Sequence, residues 1–293
     1  MCGISGVVGL KDISTALFEC IRNLEYRGYD SCGVALMNKG GIVIKKNVGE
    51  VEAVFRKENI LRHKSLMGIA HTRWATHGAV TRENTHPFYS CDRKFAVVHN
   101  GIISNYRALK EQLLREGHRF VSETDTEAIA HLLEKYYQED RNVEMALRKT
   151  LNLIEGTFAL AFLSTHQPET IFCAKRESPL MLGIADEMKF IGSDFNSFID
   201  FTKDSIIIDD GEYALLTKDG YIVKNSVTGE EAPKTITKIE WDGETSRKGG
   251  YPHYMLKEIY EQPQTVNNAL DVEEAALDEV ADNKTSIFAG VTD

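Results

Sequence analysis

A cysteine directly follows the initiator methionine in the opening run Met1-Cys2-Gly3-Ile4-Ser5-Gly6, and this run constrains both the fold and the chemistry of the chain. Because Cys2 is small, we expect Met1 to be removed, which leaves an α-amino group beside the thiol. Nucleophilic catalysis needs a nucleophile and a base within hydrogen-bond reach, and such a residue supplies both. The two flanking glycines would let the new terminus begin a strand against which other backbone packs closely. The alternative is that Cys2 is an ordinary small residue of a terminal strand.

The overall composition is that of a globular protein. The 293 residues are 42% hydrophobic and 27% charged, enough for one large domain or two small ones. The formal net charge of −10 argues against a surface that binds nucleic acid. No apolar run approaches the ~18 residues of a membrane span, and the amino terminus lacks the pattern of a secretory signal. We therefore expect a cytoplasmic protein that binds neither nucleic acid nor membrane.

The cysteines are few and scattered. The five, at positions 2, 20, 32, 91 and 173, are odd in number and contain no Cys-x-x-Cys pair. This pattern argues against a disulfide framework and against a zinc or iron–sulfur site. We expect reduced thiols, no metal and no organic cofactor.

Hydrophobic periodicity predicts a block of strands, a block of helices and a second block of strands. The first block has strands at 3–9, 32–37, 42–46, 66–71 and 95–98, with helices at 14–22 and 51–61; three helices then begin near 104, 124 and 142; the second block has strands at 157–163, 170–174, 180–184, 189–192, 205–208, 212–217 and 221–224. This order is typical of an α+β domain with sheets in the middle and helices outside.

Three local expectations concern the helical block and the strand before it. The strand at 95–98 is expected to end at His99-Asn100-Gly101. Leu109, Leu113 and Leu114 should face inward from the first helix. The segment Thr124-Asp125-Thr126-Glu127 fits a capping box, with Asp125 in the first turn of its helix.

The carboxyl-terminal part of the chain changes character around Trp241. Residues 242–250 resemble a linker, a helix at 253–261 should stop at Pro263, and 265–283 form an acidic, alanine-rich helix with few apolar anchors. We expect one domain at residues 1–240, and at 241–293 a linker and the start of a further domain.

Several loop segments carry polar residues that packing alone explains poorly. Arg73, in a loop that follows a buried strand, is either a satisfied surface arginine or a bidentate clamp for a carboxylate, aided by Thr76. Asn100-Gly101 is either a tight turn or an oxyanion hole formed by a side-chain amide and a backbone N–H. Asp125 is either a helix cap or the partner of a substrate ammonium group.

Two further segments have equally plain alternatives. If they have no functional role, Arg27, Tyr26 and Tyr29 form a solvated turn, and His86, which precedes Pro87, is a histidine at the edge of the core.

Taken in order, these segments resemble the class II glutamine amidotransferases, and within that family the glutamine–fructose-6-phosphate aminotransferases. The resemblance covers about residues 1–262. It rests on Met1-Cys2-Gly3-Ile4, Leu24-Glu25-Tyr26-Arg27-Gly28-Tyr29-Asp30-Ser31, His71-Thr72-Arg73-Trp74-Ala75-Thr76-His77-Gly78, His86-Pro87, His99-Asn100-Gly101 and Thr124-Asp125-Thr126-Glu127. It implies an N-terminal-nucleophile (Ntn) hydrolase fold, a four-layer αββα sandwich.

The resemblance also implies a role for each matched residue. Cys2 attacks the side-chain carbonyl of L-glutamine, its α-amine manages the proton, and the product is glutamate with released ammonia. Asn100 and Gly101 stabilise the oxyanion, and Arg27 orients the terminus. The substrate-binding residues implied are Arg73, Trp74, Thr76, His77, Gly101 and Asp125, with Trp74 on a loop that closes over the site.

The chain departs from the family in its length. In the family, ammonia passes to a carboxyl-terminal isomerase half that binds fructose 6-phosphate, and 293 residues leave no room for it. We expect the chain to supply ammonia for glucosamine 6-phosphate synthesis without completing it. The alternatives are the glutaminase half of another class II amidotransferase, such as amidophosphoribosyltransferase or asparagine synthetase, and a non-catalytic glutamine-binding module.

Overall fold

A computed structural model describes residues 2–75, 78–240, 250–251 and 254–270 of the chain. Thr76 and His77, the predicted linker at 242–249 and the tail beyond residue 270 lie outside the described residues. The chain divides into two compact units, Met1–Trp241 and Asp242–Asp293.

The first unit contains two antiparallel sheets. Its strands are β1 (Gly3–Gly9), β2 (Ser31–Asn38), β3 (Gly41–Val48), β4 (Met67–Arg73), β5 (Phe88–Tyr89), β6 (Phe95–Ile103), β7 (Gly156–Ser164), β8 (Ile171–Arg176), β9 (Met181–Ile184), β10 (Met188–Gly192), β11 (Asp204–Ile207), β12 (Glu212–Leu216), β13 (Tyr221–Asn225) and β14 (Thr237–Lys238). Eight strands form one sheet in the order β14-β11-β9-β10-β1-β4-β2-β3, and six form the other in the order β13-β12-β8-β7-β6-β5.

Helices cover the outer face of each sheet. They are α1 (Ser14–Arg22), α2 (Val51–Lys57), α3 (Tyr106–Arg115), α4 (Thr126–Asp140) and α5 (Val143–Leu153). Side chains of α1 and α2 pack in one hydrophobic cluster with the eight-stranded sheet. Side chains of α3, α4 and α5 pack in another with the six-stranded sheet.

A third hydrophobic cluster fills the space between the two sheets. Successive side chains of a strand point to opposite faces, and β6 shows this directly: Ala96 and Val98 join the cluster between the sheets, whereas Phe95 and Val97 join the cluster beneath α3–α5. The layers therefore run helix, sheet, sheet, helix, which is the four-layer αββα sandwich expected from the sequence.

The structure corrects two expectations about β6 and α3. β6 does not end at residues 99–101, because Asn100 and Gly101 pair with Ala159 and Phe158 of β7 and the strand continues to Ile103. Leu114 faces solvent with 49% of its surface exposed, since α3 buries only the stripe that contains Leu109 and Leu113.

The predicted capping box also does not form. Glu127 accepts hydrogen bonds from the backbone N–H groups of Val121 and Ser122 rather than reaching back to Thr124. Asp125 occupies the cap position before α4, and its carboxylate accepts from the N–H of Ile103 at 2.8 Å. Asp125 thus ties the loop before α4 to β6, and Glu127 ties it to the first turn of α4.

The described part of the second unit is dominated by one helix, α6 (Tyr254–Leu270), which contains Pro263. The expectation that the helix stops at Pro263 was wrong, because a proline removes one intrahelical hydrogen bond without preventing helical backbone on both sides. Among the described residues, no helix has the length and apolar character needed to cross a membrane.

Candidate active site

A pocket lies where β1, β4 and β6 come closest to the loop before α4. About 590 Å³ of space in it is not filled by protein atoms, part of it open to solvent. It is lined by Cys2, Arg73, Trp74, His86, His99, Gly101, Ile102, Tyr106, Glu123, Thr124, Asp125 and Thr126. Five of the residues predicted to act in catalysis or substrate binding therefore meet at one place, although they lie in segments up to 123 positions apart.

The pairing of β1 with β4 places Cys2 in this pocket. Gly3 lies opposite Thr72 in the register, so Cys2 comes beside the end of β4. The N–H of Trp74 donates to Cys2 Sγ at 3.3 Å, and the thiol in turn lies 3.6 Å from the Trp74 carbonyl oxygen. A Cβ added at Gly28 would lie 2.6 Å from the Arg73 carbonyl carbon, so only glycine lets the turn before β2 pack beneath this backbone.

Two side-chain donors hold the carbonyl oxygen of Cys2. Arg27 donates from Nε at 3.0 Å and Asn100 from Nδ2 at 3.1 Å. Arg27 is itself buried and lies 3.5 Å from the carboxylate of Asp194, which also accepts from Tyr26. Arg27 is therefore not part of a solvated turn, and it contacts the residue that precedes β1.

Asn100 connects the terminus to the core of the site. Its Nδ2 donates to Ser193 Oγ at 3.0 Å as well as to Cys2, and its Oδ1 lies 3.0 Å from Nε2 of His71. Both amide hydrogens thus have acceptors in this structure. A role as oxyanion donor requires one of them to turn from its present acceptor towards the substrate.

Gly101 occupies a position that no other residue tolerates. Its φ is +118°, and a Cβ there would lie 2.1 Å from the carbonyl oxygen of Thr157. The close contact with β7 and the positive φ together explain why a glycine stands within this strand.

A fixed positive charge and a fixed negative charge face this pocket. Arg73 is 4% exposed, and its guanidinium donates to the carbonyl oxygens of Ala79 and Gly78. Asp125 comes from the loop before α4. Trp74 is 44% exposed, and its ring lies edge-on to that of Tyr29, so it forms an exposed rim to the pocket.

Burial raises the pKa of the Cys2 thiol, although the N–H of Trp74 and the positive charges of Arg73 and Arg27 act in the opposite direction. The thiol is therefore protonated at neutral pH, and its attack on a carbonyl needs a proton acceptor.

Three buried histidines adjoin the site. Burial lowers the pKa of His71 to about 3 and that of His86 well below its ordinary value. The pKa of His99 is lowered for the same reason, while Asp125 acts in the opposite direction. The rings of His71 and His86 stack at 4.0 Å. These neutral imidazoles hold the ends of β4 and β6 together, and the described hydrogen-bond partner of the Cys2 thiol is backbone rather than histidine.

Sequence reasoning missed several residues of the pocket wall. Tyr106 and Glu123 belong to no motif that was singled out, and Glu123 is held by paired hydrogen bonds with Asn84. The only signal was their closeness in sequence to Asp125 and to the end of β6. A separate group of potential metal ligands, around Cys91, lies outside this pocket.

The sequence of the chain is similar to those of known amidotransferases. A family model for the glutamine amidotransferase domain matches residues 71–200. The glutamine–fructose-6-phosphate aminotransferase of Thermococcus kodakarensis is 43% identical over 99% of this chain and 49% of its own length. That of Pyrococcus horikoshii is 44% identical over 92% of this chain and 45% of its own. The chain thus spans about half the length of these curated relatives.

Solved structures support the fold. Glutamine phosphoribosylpyrophosphate amidotransferase from B. subtilis superposes on 78% of this chain, and on 50% of its own, with a TM-score of 0.68 at 22% identity. A glutamine aminotransferase class-II domain protein from silicibacter pomeroyi superposes on 79% of this chain and all of its own, with a TM-score of 0.53 at 16% identity. At these identities the likeness concerns the fold alone, and it confirms the predicted Ntn type.

The chain therefore contains a glutamine amidotransferase domain, and over 92–99% of its length it is similar to the glutamine–fructose-6-phosphate aminotransferases.

Proposed function

We propose that this chain hydrolyses L-glutamine to L-glutamate and ammonia through a thioester on Cys2. The observation that carries the proposal is the position of the Cys2 thiol in a pocket that also contains the charges of Arg73 and Asp125. Glutamine is a zwitterion with an amide at the end of its side chain. Its recognition needs a cation for the carboxylate, an anion for the ammonium group and a nucleophile at side-chain distance.

The first chemical step joins the Cys2 sulfur to the side-chain carbonyl carbon of glutamine. The thiol proton passes to the α-amine of Cys2, freed by removal of Met1, and then to the leaving nitrogen, which departs as ammonia. Water then attacks the thioester, which releases glutamate and restores the thiol. This route suits a thiol whose pKa is raised by burial, because the amine supplies the base. The buried histidines are poor proton acceptors, since their pKa values are lowered.

The other predicted residues take the following roles in the proposal. The Asn100 amide and the Gly101 N–H donate hydrogen bonds to the oxyanion. To do so, Asn100 Nδ2 breaks one of its two present hydrogen bonds, to the Cys2 carbonyl or to Ser193 Oγ. Arg27 positions the terminus through the Cys2 carbonyl. Arg73, Thr76 and His77 bind the substrate carboxylate, Asp125 and the Gly101 carbonyl bind its ammonium group, and Trp74 closes over the site.

We further propose that the ammonia serves glucosamine 6-phosphate synthesis from fructose 6-phosphate, with a carboxyl-terminal isomerase domain as partner. The chain spans about half the length of these relatives, and this supports the proposal. In this proposal residues 1–240 are the glutaminase domain, and 241–293 are a linker and the start of the partner domain. A cytoplasmic location fits the five free cysteines.

The test is glutamate release from glutamine, followed with glutamate dehydrogenase. The unaltered chain should turn over and Cys2→Ala should not, while Cys91→Ala should remain active, because Cys91 is the other cysteine that is not buried. Glutamine binding with equal affinity but no turnover in the unaltered chain and in Cys2→Ala would instead identify a binding module.

A further inference from the structure

Four side chains with metal-binding atoms converge on the outer side of the six-stranded sheet, away from the glutamine pocket. Cys91 lies in the turn between β5 and β6, His118 in the loop after α3, and His131 and Glu134 on α4. One ligand atom from each lies within 4.8 Å of all the others. The two α4 residues are three positions apart and therefore share one face of the helix.

Four of the six distances among these atoms are close to the edges of a tetrahedron around one ion. Cys91 Sγ lies 3.6 Å from His131 Nδ1 and 3.8 Å from His118 Nδ1. Glu134 Oε2 lies 3.4 Å from His118 Nδ1 and 3.7 Å from His131 Nδ1. Tetrahedral zinc with ordinary bond lengths places sulfur about 3.6 Å from nitrogen, and nitrogen about 3.4 Å from oxygen.

Hydrogen bonding explains the two distances between the histidines and Glu134 less well. An N–H···O hydrogen bond spans about 2.7–3.2 Å, and both histidine–Glu134 separations exceed that range. Glu134 does accept good hydrogen bonds from the backbone N–H groups of Cys91 and Asp92, at 2.9 and 3.1 Å. Its carboxylate is therefore held in place independently of the histidines that face it.

The second ring nitrogen of His131 has surroundings typical of a metal-bound imidazole. His131 is 1% exposed. Its Nε2 makes no hydrogen bond among the described residues but lies 3.7 Å from Oε1 of Glu127, a carboxylate that is 2% exposed. Metal-bound histidines almost always direct their other nitrogen at such a group, which fixes the ring orientation. Cys91, in contrast, is exposed, which leaves an entry route for the ion.

We propose that Cys91, His118, His131 and Glu134 form a tetrahedral site for a divalent transition metal of the Zn²⁺ type. One thiolate, two imidazoles and one carboxylate suit zinc, and a full set of four protein ligands is typical of a structural site. The ion would fasten α4 to the turn that leads into β6. It would thereby couple the helix that begins after Asp125 to the strand that carries Asn100 and Gly101.

The test is a titration of the metal-free, untagged chain with Co²⁺, whose tetrahedral thiolate complexes have visible d–d bands and a sulfur-to-metal charge-transfer band. One equivalent of Co²⁺ should give both kinds of band, and added Zn²⁺ should displace the Co²⁺. Cys91→Ser should lose the charge-transfer band, and His131→Gln should weaken binding by at least ~10-fold. Zn²⁺ should raise the thermal midpoint of the unaltered chain and not that of Cys91→Ser.

Two control variants identify where the metal binds. Cys2→Ala should keep the full cobalt spectrum, because the proposed site is separate from the glutaminase centre, and the outcome does not depend on catalysis. His63→Gln, which alters a partly exposed histidine elsewhere, should bind metal as the unaltered chain does. A spectrum that disappears in Cys2→Ala and persists in Cys91→Ser would overturn the proposal, as would the absence of tetrahedral bands in a chain whose circular dichroism is native.

Discussion

The substitution Asn100→Ala separates the chemistry of the site from its architecture. If the Asn100 amide stabilises the oxyanion, its loss should lower kcat by about 10²–10³, or about 2.7–4 kcal/mol, because one donor to the developing charge disappears. KM should change little, since the proposed contact forms in the transition state rather than with bound glutamine.

The structural cost of Asn100→Ala follows from its partners. The Cys2 carbonyl keeps Arg27, Ser193 Oγ keeps the N–H of Ile4, and Nε2 of His71 keeps the carbonyl oxygen of His99. The substitution therefore leaves no partner orphaned. The loss of three hydrogen bonds amounts to about 3 kcal/mol of unfolding free energy, at about 1 kcal/mol each.

Ser193→Ala is the matched control. It removes one acceptor of the Asn100 amide and leaves the N–H of Ile4 without its partner, which costs about 1–3 kcal/mol of stability. It removes no oxyanion donor, so kcat should stay close to that of the unaltered chain. Steady-state glutamate release and urea unfolding are measured for all three proteins. The reasoning is refuted if the two variants lose kcat equally, or if Asn100→Ala alters KM alone.

Three further predictions concern strain, substrate charge and pH. Gly101→Ala should lower the free energy of unfolding, measured with urea, by about 2–4 kcal/mol, because its Cβ would meet the carbonyl oxygen of Thr157 at a positive φ; an unchanged free energy of unfolding would contradict this. Asp125→Asn should raise KM for glutamine at least about tenfold with a smaller change in kcat, since a charge-assisted contact with the ammonium group is worth about 1.5–3 kcal/mol; a change in kcat alone would argue against that role. Burial raises the pKa of Asp12, but hydrogen bonds, first among them that from Lys64, outweigh it and lower the value from 3.8 to about 2. This carboxylate therefore stabilises the fold above pH 3.8 and loses its contribution as the pH falls through about 2, so Asp12→Asn should cost about 1 kcal/mol at pH 7 and only a small part of that at pH 2; an equal cost at both pH values would be inconsistent with this linkage.

Much of the fold was predictable because the periodicity of apolar residues is a local signal. The strand at Gly3–Gly9 and the helix at Ser14–Arg22 follow directly from it. Where the prediction failed, a distant segment decided the outcome. β6 passes through Asn100 and Gly101 because β7 supplies partners for both residues. The prediction that the strand ends at Asn100-Gly101 took no account of the partners that β7 supplies.

The site was predictable in its motifs but not in its contacts. Cys2, Arg73, Gly101 and Asp125 were selected from separate segments, and the pocket brings them together. That Asn100 donates to the Cys2 carbonyl could not be predicted, because the contact spans 98 positions of the chain.

The cluster around Cys91 was missed for the same reason. Its residues lie at positions 91, 118, 131 and 134, in no recognised metal-binding spacing. The absence of a Cys-x-x-Cys pair argued against zinc, yet a mixed set of ligands can assemble entirely through tertiary structure.

The central claim is that Cys2 is an amino-terminal nucleophile in a glutamine pocket. Intact-mass spectrometry before and after incubation with 6-diazo-5-oxo-norleucine, a glutamine-mimicking electrophile, tests it most directly. The account predicts a chain without Met1 that gains one adduct, mapped to Cys2 and prevented by excess glutamine, while Cys91 stays unmodified. A chain that retains Met1 and gains no adduct would contradict it.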